Sequence, residues 1–287
     1  MKSNQPITIL SGAFGTELQR RGFPTNLPLW SAGANLSAPQ LVQEIHADYL
    51  RAGANLITTN TFRTNIRTWQ RIGKRPLAKE STKRAIEHAV KTRNKINPKA
   101  LVGGSITTVE DCYSPNLVPA RAELEEEHGE MVEYFAGEGL DFIILETMNT
   151  LLETEVLLAA AKPNGLPVWV SFVTNPAGDL LSGERLEDAV ALAKQFDVEA
   201  ILLNCRPPLV IQAAADKLVA NYSGVKGIYA NGHGEPSDGL GWKFHENITP
   251  KTYLEHAKHW AKQGFSIIGG CCGTTPEYIE LLAENLS

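Results

Sequence analysis

Residues 142–173 read FIILETMNTLLETEVLLAAAKPNGLPVWVSFV. Two short apolar runs, 142–145 and 168–173, flank a segment of helical character at 151–161. The two runs are apolar on both faces, which is typical of strands in a parallel sheet that helices cover on both sides. A helix of this length can return the chain for another parallel strand. The segment therefore predicts one strand–helix–strand unit.

The same alternation runs along the whole chain of 287 residues. We predict eight strands, at residues 7–10, 56–59, 101–106, 142–145, 168–173, 200–203, 227–230 and 266–268. A helix is predicted after each of them, at residues 39–52, 77–95, 122–136, 151–161, 186–196, 209–220, 250–262 and 276–286. Eight such units close most simply as one (β/α)8 barrel, a TIM barrel, over residues 1–287.

The alternative fold is a doubly wound open sheet of the α/β class. Such a sheet usually carries a GxGxxG phosphate turn after its first strand. The corresponding turn here, at residues 12–15, reads GAFG and lacks that pattern, which favours the barrel.

The composition limits the class of protein. With 43% hydrophobic and 21% charged residues, the chain can bury a large core, which argues against global disorder. A formal net charge of −5 argues against a nucleic-acid binder, because such proteins present basic surfaces to phosphate groups. Since the sequence shows neither a signal-peptide pattern nor an apolar run of about 20 residues, we expect a cytoplasmic protein without a membrane partner. The oligomeric state stays open.

Four cysteines are too few for a disulfide framework, and in the cytoplasm they stay reduced, which indicates metal binding or catalysis. Cys205 follows the sixth predicted strand, and Cys271 and Cys272 follow the eighth. Because the active site of a barrel lies at the C-terminal ends of its strands, these three thiols are expected to meet at one rim. Cys112, in the loop after the third strand, stays outside this group.

Three converging thiolates form a soft site that suits Zn²⁺ and leaves one of its four coordination positions open. The charges of three thiolates and one Zn²⁺ sum to −1, so we expect such a centre to activate water poorly. It can still bind a thiol as a nucleophilic thiolate, and the predicted chemistry is alkylation of a substrate thiol. Alternatively, the cysteines are small buried hydrophobic residues. The glycines at 269, 270 and 273 weaken that alternative, because they let two successive side chains turn toward one point.

The segment at 269–276, GGCCGTTP, resembles the signature of the zinc-dependent homocysteine S-methyltransferase family. Asn204-Cys205 matches the second metal-ligand motif of that family. Further matches are GAFGTEL at 12–18, TNTF at 59–62, ET at 146–147, WVSF at 169–172 and LSGE at 181–184. The resemblance extends from residue 11 to residue 280, and the family is built on a (β/α)8 barrel.

The resemblance implies a role for each matching residue. Cys205, Cys271 and Cys272 would hold Zn²⁺. Glu146 would accept hydrogen bonds from the ammonium group of homocysteine, and the backbone N–H groups of Ala13, Phe14 and Gly15 would receive its carboxylate. Asn231, which is retained from the family pattern at the seventh strand, is assigned to the same substrate pocket.

The implied reaction moves a methyl group to the thiolate of homocysteine and yields methionine, with no general base at the transition state. Since the sequence accounts for the barrel alone, we expect a sulfonium donor, either S-methylmethionine or S-adenosylmethionine. Arg63, after the second strand, is predicted to be either an exposed arginine or a residue on the donor side. In the second case it favours an anionic donor or a methylated corrinoid protein as partner.

The chain departs from the family pattern at several positions. The family usually has Asp where this chain has Ser11, so recognition of the ammonium is expected to depend more on Glu146. Thr107-Thr108 replace the usual Gly-Pro after the third strand. These differences leave open a non-catalytic barrel that binds zinc and a thiol. A zinc hydrolase is disfavoured because an all-thiolate site activates water poorly.

Overall fold

The computed structural model describes residues 6–137, 139–237, 241–245 and 248–286. Ten strands lie in these ranges, in chain order β1 (Thr8–Ile9), β2 (Leu56–Thr58), β3 (Leu101–Thr107), β4 (Phe142–Met148), β5 (Val168–Phe172), β6 (Ala200–Asn204), β7 (Val225–Ala230), β8 (Glu235–Ser237), β9 (Gly241–Lys243) and β10 (Ile267–Gly270). Eight of them form one parallel sheet in the order β1-β10-β7-β6-β5-β4-β3-β2, and β8 and β9 form a separate antiparallel hairpin.

The parallel sheet closes on itself between β1 and β2. A parallel bridge joins Leu10 to Leu56 across this seam. The backbone N–H of Ser11 donates to the Leu56 carbonyl at 2.8 Å, and that of Asn55 donates to the Ile9 carbonyl at 3.0 Å. The closed sheet confirms the predicted (β/α)8 barrel and excludes the doubly wound open sheet.

Eleven α-helices lie in the described ranges, namely α1 (Gly15–Arg20), α2 (Ala34–Ser37), α3 (Pro39–Arg51), α4 (Ile66–Gln70), α5 (Leu77–Ile96), α6 (Arg121–Glu133), α7 (Leu151–Ala161), α8 (Leu186–Gln195), α9 (Pro208–Asn221), α10 (Pro250–Lys262) and α11 (Pro276–Leu286). Sequence signals explain several of their starts. Thr249 and Thr252 form a capping box at α10, and the Thr150 hydroxyl caps α7. None of these helices combines the length and the apolar character that a membrane span requires.

All eight predicted strands and all eight predicted helices are present in the structure. The bounds of α7, α10 and α11 are as predicted, and the other ends differ by up to three residues. Short elements were not anticipated, and these are α1, α2, α4 and the β8–β9 hairpin. They have six residues or fewer, too few to show the periodicity of a helix or a long strand.

The inside of the barrel changes from apolar to polar along the strands. Toward the N-terminal ends, an apolar cluster fills it, and its members are Leu10, Leu56, Phe142, Ile144, Trp169, Ala200, Leu202, Tyr229 and Ile267. Two residues further along, the inward positions become Glu146 on β4, Ser171 on β5 and Asn204 on β6, all buried. The apolar cluster therefore closes the barrel from below, and a polar layer opens toward the C-terminal rim.

Candidate metal centre and adjoining cavities

The three cysteines that the sequence singled out meet at the C-terminal rim. The Sγ atoms of Cys205, Cys271 and Cys272 all lie within 4.8 Å of one another, and those of Cys205 and Cys272 are 4.0 Å apart. None of the three forms a disulfide. Four ligands placed tetrahedrally at about 2.3 Å from zinc are about 3.8 Å apart, so these sulfurs fit one metal ion.

The backbone around Cys205 has an unusual conformation for a residue with a side chain. Its φ angle is +57°, in the left-handed region, directly after β6. Its N–H donates to the Tyr229 carbonyl on β7 at 3.3 Å. Hydrogen bonding to Cys271, together with burial, raises the pKa of the Cys205 thiol well above its usual range. A cation among the sulfurs would reverse this preference, because metal binding favours the thiolate.

The loop that carries Cys271 and Cys272 is fastened to the loop after β1. Thr274 is fully buried, and its hydroxyl accepts from the Ala13 N–H at 3.1 Å and donates to the Cys271 carbonyl at 2.7 Å. The Gly273 N–H donates to the Thr16 hydroxyl at 2.9 Å. Two distant motifs, 12–18 and 269–276, thus form one structural unit.

Glu146 reaches the polar layer by the regular alternation of β4, which stays in register with β3 up to the pair Thr107–Glu146. An irregularity lies beside it, because the register of β4 against β5 shifts between Leu145 and Met148, and Thr147 has a φ angle of +61°. Such bulges are common next to functional sites. The prediction that the strand ends at Leu145 is therefore wrong, because the strand continues through the bulge to Met148.

Two hydroxyls hold the Glu146 carboxylate. The Ser105 hydroxyl donates to one carboxylate oxygen, and the Tyr229 hydroxyl donates to the other at 2.9 Å. Burial raises the pKa of Glu146, although both hydrogen bonds oppose that shift. Glu146 lines a cavity of about 100 Å³ together with Ser11 and the three cysteines.

The loop after β1 lines the same cavity, but its amides differ from the expectation. The prediction that the Ala13 N–H receives the substrate carboxylate is wrong. This N–H already donates to the Thr274 hydroxyl and is therefore unavailable to a substrate. Within the described residues, neither the Phe14 N–H nor the Gly15 N–H donates a hydrogen bond. These two amides therefore remain available at the start of α1.

Asn231 is not among the residues that line this cavity. It is buried directly after β7, and its N–H donates to the Arg206 carbonyl at 2.9 Å. Its side-chain Oδ1 is buried and has no hydrogen-bond partner in the described part of the chain. The assignment of Asn231 to substrate binding therefore stays a prediction.

A second cavity, of about 420 Å³, adjoins the first. The two share Trp30, Phe62, Cys205 and Cys272 in their walls. The Trp30 ring packs so closely on Gly15 and on Gly241 of β9 that neither position has space for a Cβ atom. Trp30 thus joins the start of α1 to the β8–β9 hairpin and lies at the boundary between the cavities.

Arg63 and Trp242 both line the second cavity. The expectation of an exposed Arg63 is wrong, since its side chain is only 10% exposed and its Nη2 lies 3.1 Å from Asp111 Oδ1. Trp242 is buried, and its Nε1–H donates to the His233 carbonyl at 2.9 Å.

Sequence reasoning missed three side chains around the cavities, namely Trp30, Tyr113 and Tyr229. Tyr229 occupies an inward position of β7, so the period-2 pattern of the strand could have found it. Trp30 and Tyr113 lie in loops, where the sequence carries no comparable signal.

Comparisons with known proteins agree with this architecture. The family model described as Homocysteine S-methyltransferase matches residues 8–286. Homocysteine S-methyltransferase 2 of Zea mays is 30% identical over 315 residues, which cover 97% of this chain and 89% of that protein. The selenocysteine methyltransferase of Astragalus bisulcatus is 28% identical and covers 97% of this chain and 92% of its own length.

Solved structures show the same relationship. The metallated form of the homocysteine methyltransferase MmuM from Escherichia coli aligns with a TM-score of 0.82 at 28% identity, over 98% of this chain and 96% of that chain. Its oxidized form aligns with a TM-score of 0.83 at 27% identity, with the same coverage. Because the family model matches almost the full length of this chain, the chain belongs to the homocysteine S-methyltransferase family.

Proposed function

We propose that this protein is a zinc-dependent enzyme that transfers a methyl group from a sulfonium compound to the thiolate of homocysteine and yields methionine. The observation that carries this proposal is the position of the three thiols. Cys205 and Cys272 form part of the wall of both cavities, and the smaller cavity also holds Glu146. A metal ion at the thiols would lie where the two cavities meet.

Cys205, Cys271 and Cys272 are the proposed ligands, since their sulfurs have the spacing and the softness that zinc requires. A bound zinc ion would hold the acceptor sulfur as a thiolate that stays nucleophilic at neutral pH. The existence of a metallated form of MmuM supports a metal in a relative of this chain.

The smaller cavity is the proposed acceptor pocket. Glu146 would bind the ammonium group of homocysteine, because a buried carboxylate forms strong charge-assisted hydrogen bonds. The N–H groups of Phe14 and Gly15 would receive the acceptor carboxylate. Ser11 supplies no second carboxylate, so Glu146 is the one acidic side chain among the described residues of this wall.

The volume and the lining of the larger cavity favour a small-molecule donor over a docked methylated corrinoid protein. Its volume of about 420 Å³ lies within the range of small-molecule sites. Trp30 and Trp242 line it, so a donor bound there would be partly enclosed. A cationic sulfonium also suits a centre with a net charge of −1.

The test is turnover of homocysteine by reduced, zinc-loaded protein with S-methylmethionine as the only donor. We expect methionine to form without any added protein. Formation of methionine only with a methylated corrinoid protein would reverse the assignment of the donor. Absence of methionine with every donor, from protein that retains zinc, would support the non-catalytic barrel and contradict the proposal.

Metal analysis of two matched variants tests the ligands. Cys272→Ser is expected to lower zinc from about one ion per chain to a small fraction. Cys112→Ser changes a buried cysteine that is not part of the three-sulfur group and should retain the ion. Equal zinc content in both variants would contradict the assignment of the ligands.

A further inference from the structure

We infer that the larger cavity is the donor subsite, and that Arg63 and Asp111 together bind the α-amino-acid end of a sulfonium donor. The inference rests on the proposed function and deepens it, because it names the chemical class of the donor and the residues that select it. It concerns the group that S-methylmethionine and S-adenosylmethionine share.

The position of the cavity is the first argument. Cys205 and Cys272 line it from one side, and they also line the pocket proposed for the acceptor. A donor in the larger cavity would therefore approach the acceptor sulfur across the thiol cluster. Methyl transfer requires the two sulfurs on opposite sides of the methyl carbon, and two cavities that meet at the cluster allow this arrangement.

The charges in the wall are the second argument. Arg63 is nine-tenths buried, and Asp111 is the one hydrogen-bond acceptor that the described residues offer to its guanidinium. A guanidinium carries five N–H donors, so further donors remain for a carboxylate. Asp111 is 42% exposed at its side chain and can accept from an ammonium group.

The two groups together match the zwitterion of an α-amino acid, which carries one carboxylate and one ammonium. Neighbouring side chains hold both groups in place. The Ser114 hydroxyl donates to Asp111 Oδ2 at 2.8 Å, and the Arg63 guanidinium lies 5.7 Å from the centre of the Phe62 ring. The ion pair cancels the charge of Arg63, so an anionic donor finds no uncompensated positive charge at this wall.

The aromatic residues are the third argument. Trp30, Phe62, Tyr113 and Trp242 all line the larger cavity. Aromatic rings attract cations that have lost their water, and sites for methylated ammonium groups are built from such rings. The Tyr113 hydroxyl donates to the Cys205 carbonyl at 3.2 Å, which places one ring beside the thiol cluster. A sulfonium is therefore better accommodated here than a neutral methyl donor.

The reaction balances without any further reagent. A bond forms between the acceptor thiolate and the methyl carbon while the bond from that carbon to the donor sulfur breaks. The electron pair of the broken bond stays on the donor sulfur, which becomes a neutral thioether. No proton moves in this step, since the acceptor has lost its thiol proton beforehand.

The experiment combines two variants with donors that lack one charge. Arg63→Met and Asp111→Asn are compared with wild type using S-methylmethionine, S-adenosylmethionine, dimethylsulfoniopropionate, which has no amino group, and 3-aminopropyl dimethylsulfonium, which has no carboxylate. We expect Arg63→Met to lower kcat/KM for S-methylmethionine by about 10- to 100-fold, the loss typical of a charge-assisted hydrogen bond. For 3-aminopropyl dimethylsulfonium, which has no carboxylate, this variant should keep nearly the wild-type kcat/KM.

The opposite selectivity is expected for Asp111→Asn. This variant should lower kcat/KM for both α-amino-acid donors and leave kcat/KM for dimethylsulfoniopropionate nearly unchanged. Of S-methylmethionine and S-adenosylmethionine, the donor for which the wild-type protein has the higher kcat/KM is identified as the natural one. In both variants the KM for homocysteine and the zinc content should stay at wild-type values. Arg75→Met, which removes a half-exposed arginine of the outer surface, serves as the matched control.

Three outcomes would overturn the subsite. They are equal losses for all donors, unchanged kinetics in both variants, and a rise in the KM for homocysteine instead of that for the donor. Calorimetric measurement of S-methylmethionine binding to the zinc-loaded protein distinguishes failure of the donor subsite from failure of the proposed function. Binding that weakens in Arg63→Met supports the subsite even if no methionine forms, whereas absence of binding to wild type contradicts it.

Discussion

Glu146 illustrates how one side chain acquires its properties from its neighbours. It faces into the barrel from a bulged strand, and the hydroxyls of Ser105 and Tyr229 donate to its two oxygens. Ionisation of a buried carboxylate is costly unless donors or a cation compensate it. An ammonium group in the cavity would supply such a cation, which links the burial of Glu146 to substrate binding.

We predict that Glu146→Gln raises the KM for homocysteine by about 10- to 100-fold, because the ammonium loses its charged partner. Zinc content should stay unchanged. The control is Glu199→Gln, which alters an exposed carboxylate directly before β6, at the opposite end of the barrel. Steady-state kinetics with a saturating donor provide the measurement. A variant with reduced zinc and unchanged KM would show that Glu146 supports the metal site instead.

A buried histidine makes the stability of the protein sensitive to acid. His46 on α3 lies against the Phe14 ring with 4.7 Å between ring centres, and its Nε2 is buried without a partner in the described residues. Burial, with a smaller contribution from His88, lowers the pKa of His46 from 6.5 to about 3. Below pH 6.5 the unfolded chain takes up a proton that the folded chain refuses, so folding stability falls as the pH falls toward 3.

The expected loss from this group is about 1.3 kcal/mol between pH 7 and pH 5.5. We predict that urea unfolding of His46→Leu shows a loss smaller by about this amount than wild type over the same interval. His259→Leu, at an exposed position on α10, should keep the wild-type pH dependence. Equal slopes in wild type and His46→Leu would contradict the prediction.

The turn after Cys272 has no space for a side chain at Gly273. Gly273 has a φ angle of +77°, and a Cβ atom there would lie 2.0 Å from the His233 carbonyl oxygen. That oxygen belongs to the backbone and cannot rotate away. The loop after β10 and the loop after β7 are therefore in contact at a position that admits only glycine.

Substitution of two glycines separates this contact from backbone strain alone. Gly22 also has a positive φ angle, +85°, but no atom lies within 4 Å of the position of its Cβ. We predict that Gly22→Ala lowers the free energy of unfolding by about 1 kcal/mol, the usual strain of this region. Gly273→Ala should cost at least about 2 kcal/mol more, because the overlap adds to the strain.

Gly273→Ala should also lower the zinc content, since the displaced turn carries Cys272, whereas Gly22→Ala should not. Denaturant unfolding and metal analysis of both variants provide the measurements. Similar values for the two variants would show that the loops can move apart without loss.

Across the entire barrel, the proposed metal would connect strands that are not neighbours. Cys205 follows β6, Cys271 and Cys272 follow β10, and β7 lies between them in the sheet. Anything that binds only the folded state stabilises it, by about 2.7 kcal/mol at a concentration 100 times the dissociation constant. Metal binding and folding should therefore be coupled.

We predict that zinc raises the unfolding temperature of the reduced, metal-free protein by several degrees. A chelator should reverse the rise, and Cys272→Ser should show little of it. Calcium at the same concentration should have no effect, because hard cations prefer oxygen ligands. Differential scanning calorimetry under reducing conditions is the measurement. A similar rise in wild type and in the cysteine variant would place the binding elsewhere.

The alternation of short apolar runs and helical segments predicted the barrel, because strands and helices have periods that a single sequence displays. The bulge in β4 was not predictable in the same way. It depends on the register between β4 and β5, and the local sequence at Glu146 and Thr147 does not indicate a positive φ angle. The strand end was misplaced for that reason.

The cysteines were assigned from the rule that the C-terminal ends of barrel strands converge, and the structure brings all three together. Ala13 was assigned in error because its N–H is taken by Thr274, a residue 261 positions away in the chain. For Arg63 the sequence left open a surface position or a position on the donor side, because nothing in the local sequence indicates Asp111 or the cavity around it.

The sequence alone thus determined the fold class, the family and the three sulfurs, since these depend on periodicity and on short motifs. Tertiary structure decided the environment of Glu146, the loss of the Ala13 amide and the pairing of Arg63 with Asp111. It also decided that two cavities meet at the cysteines. These features arise from contacts between loops that are distant in the chain, and such contacts form only when the barrel closes.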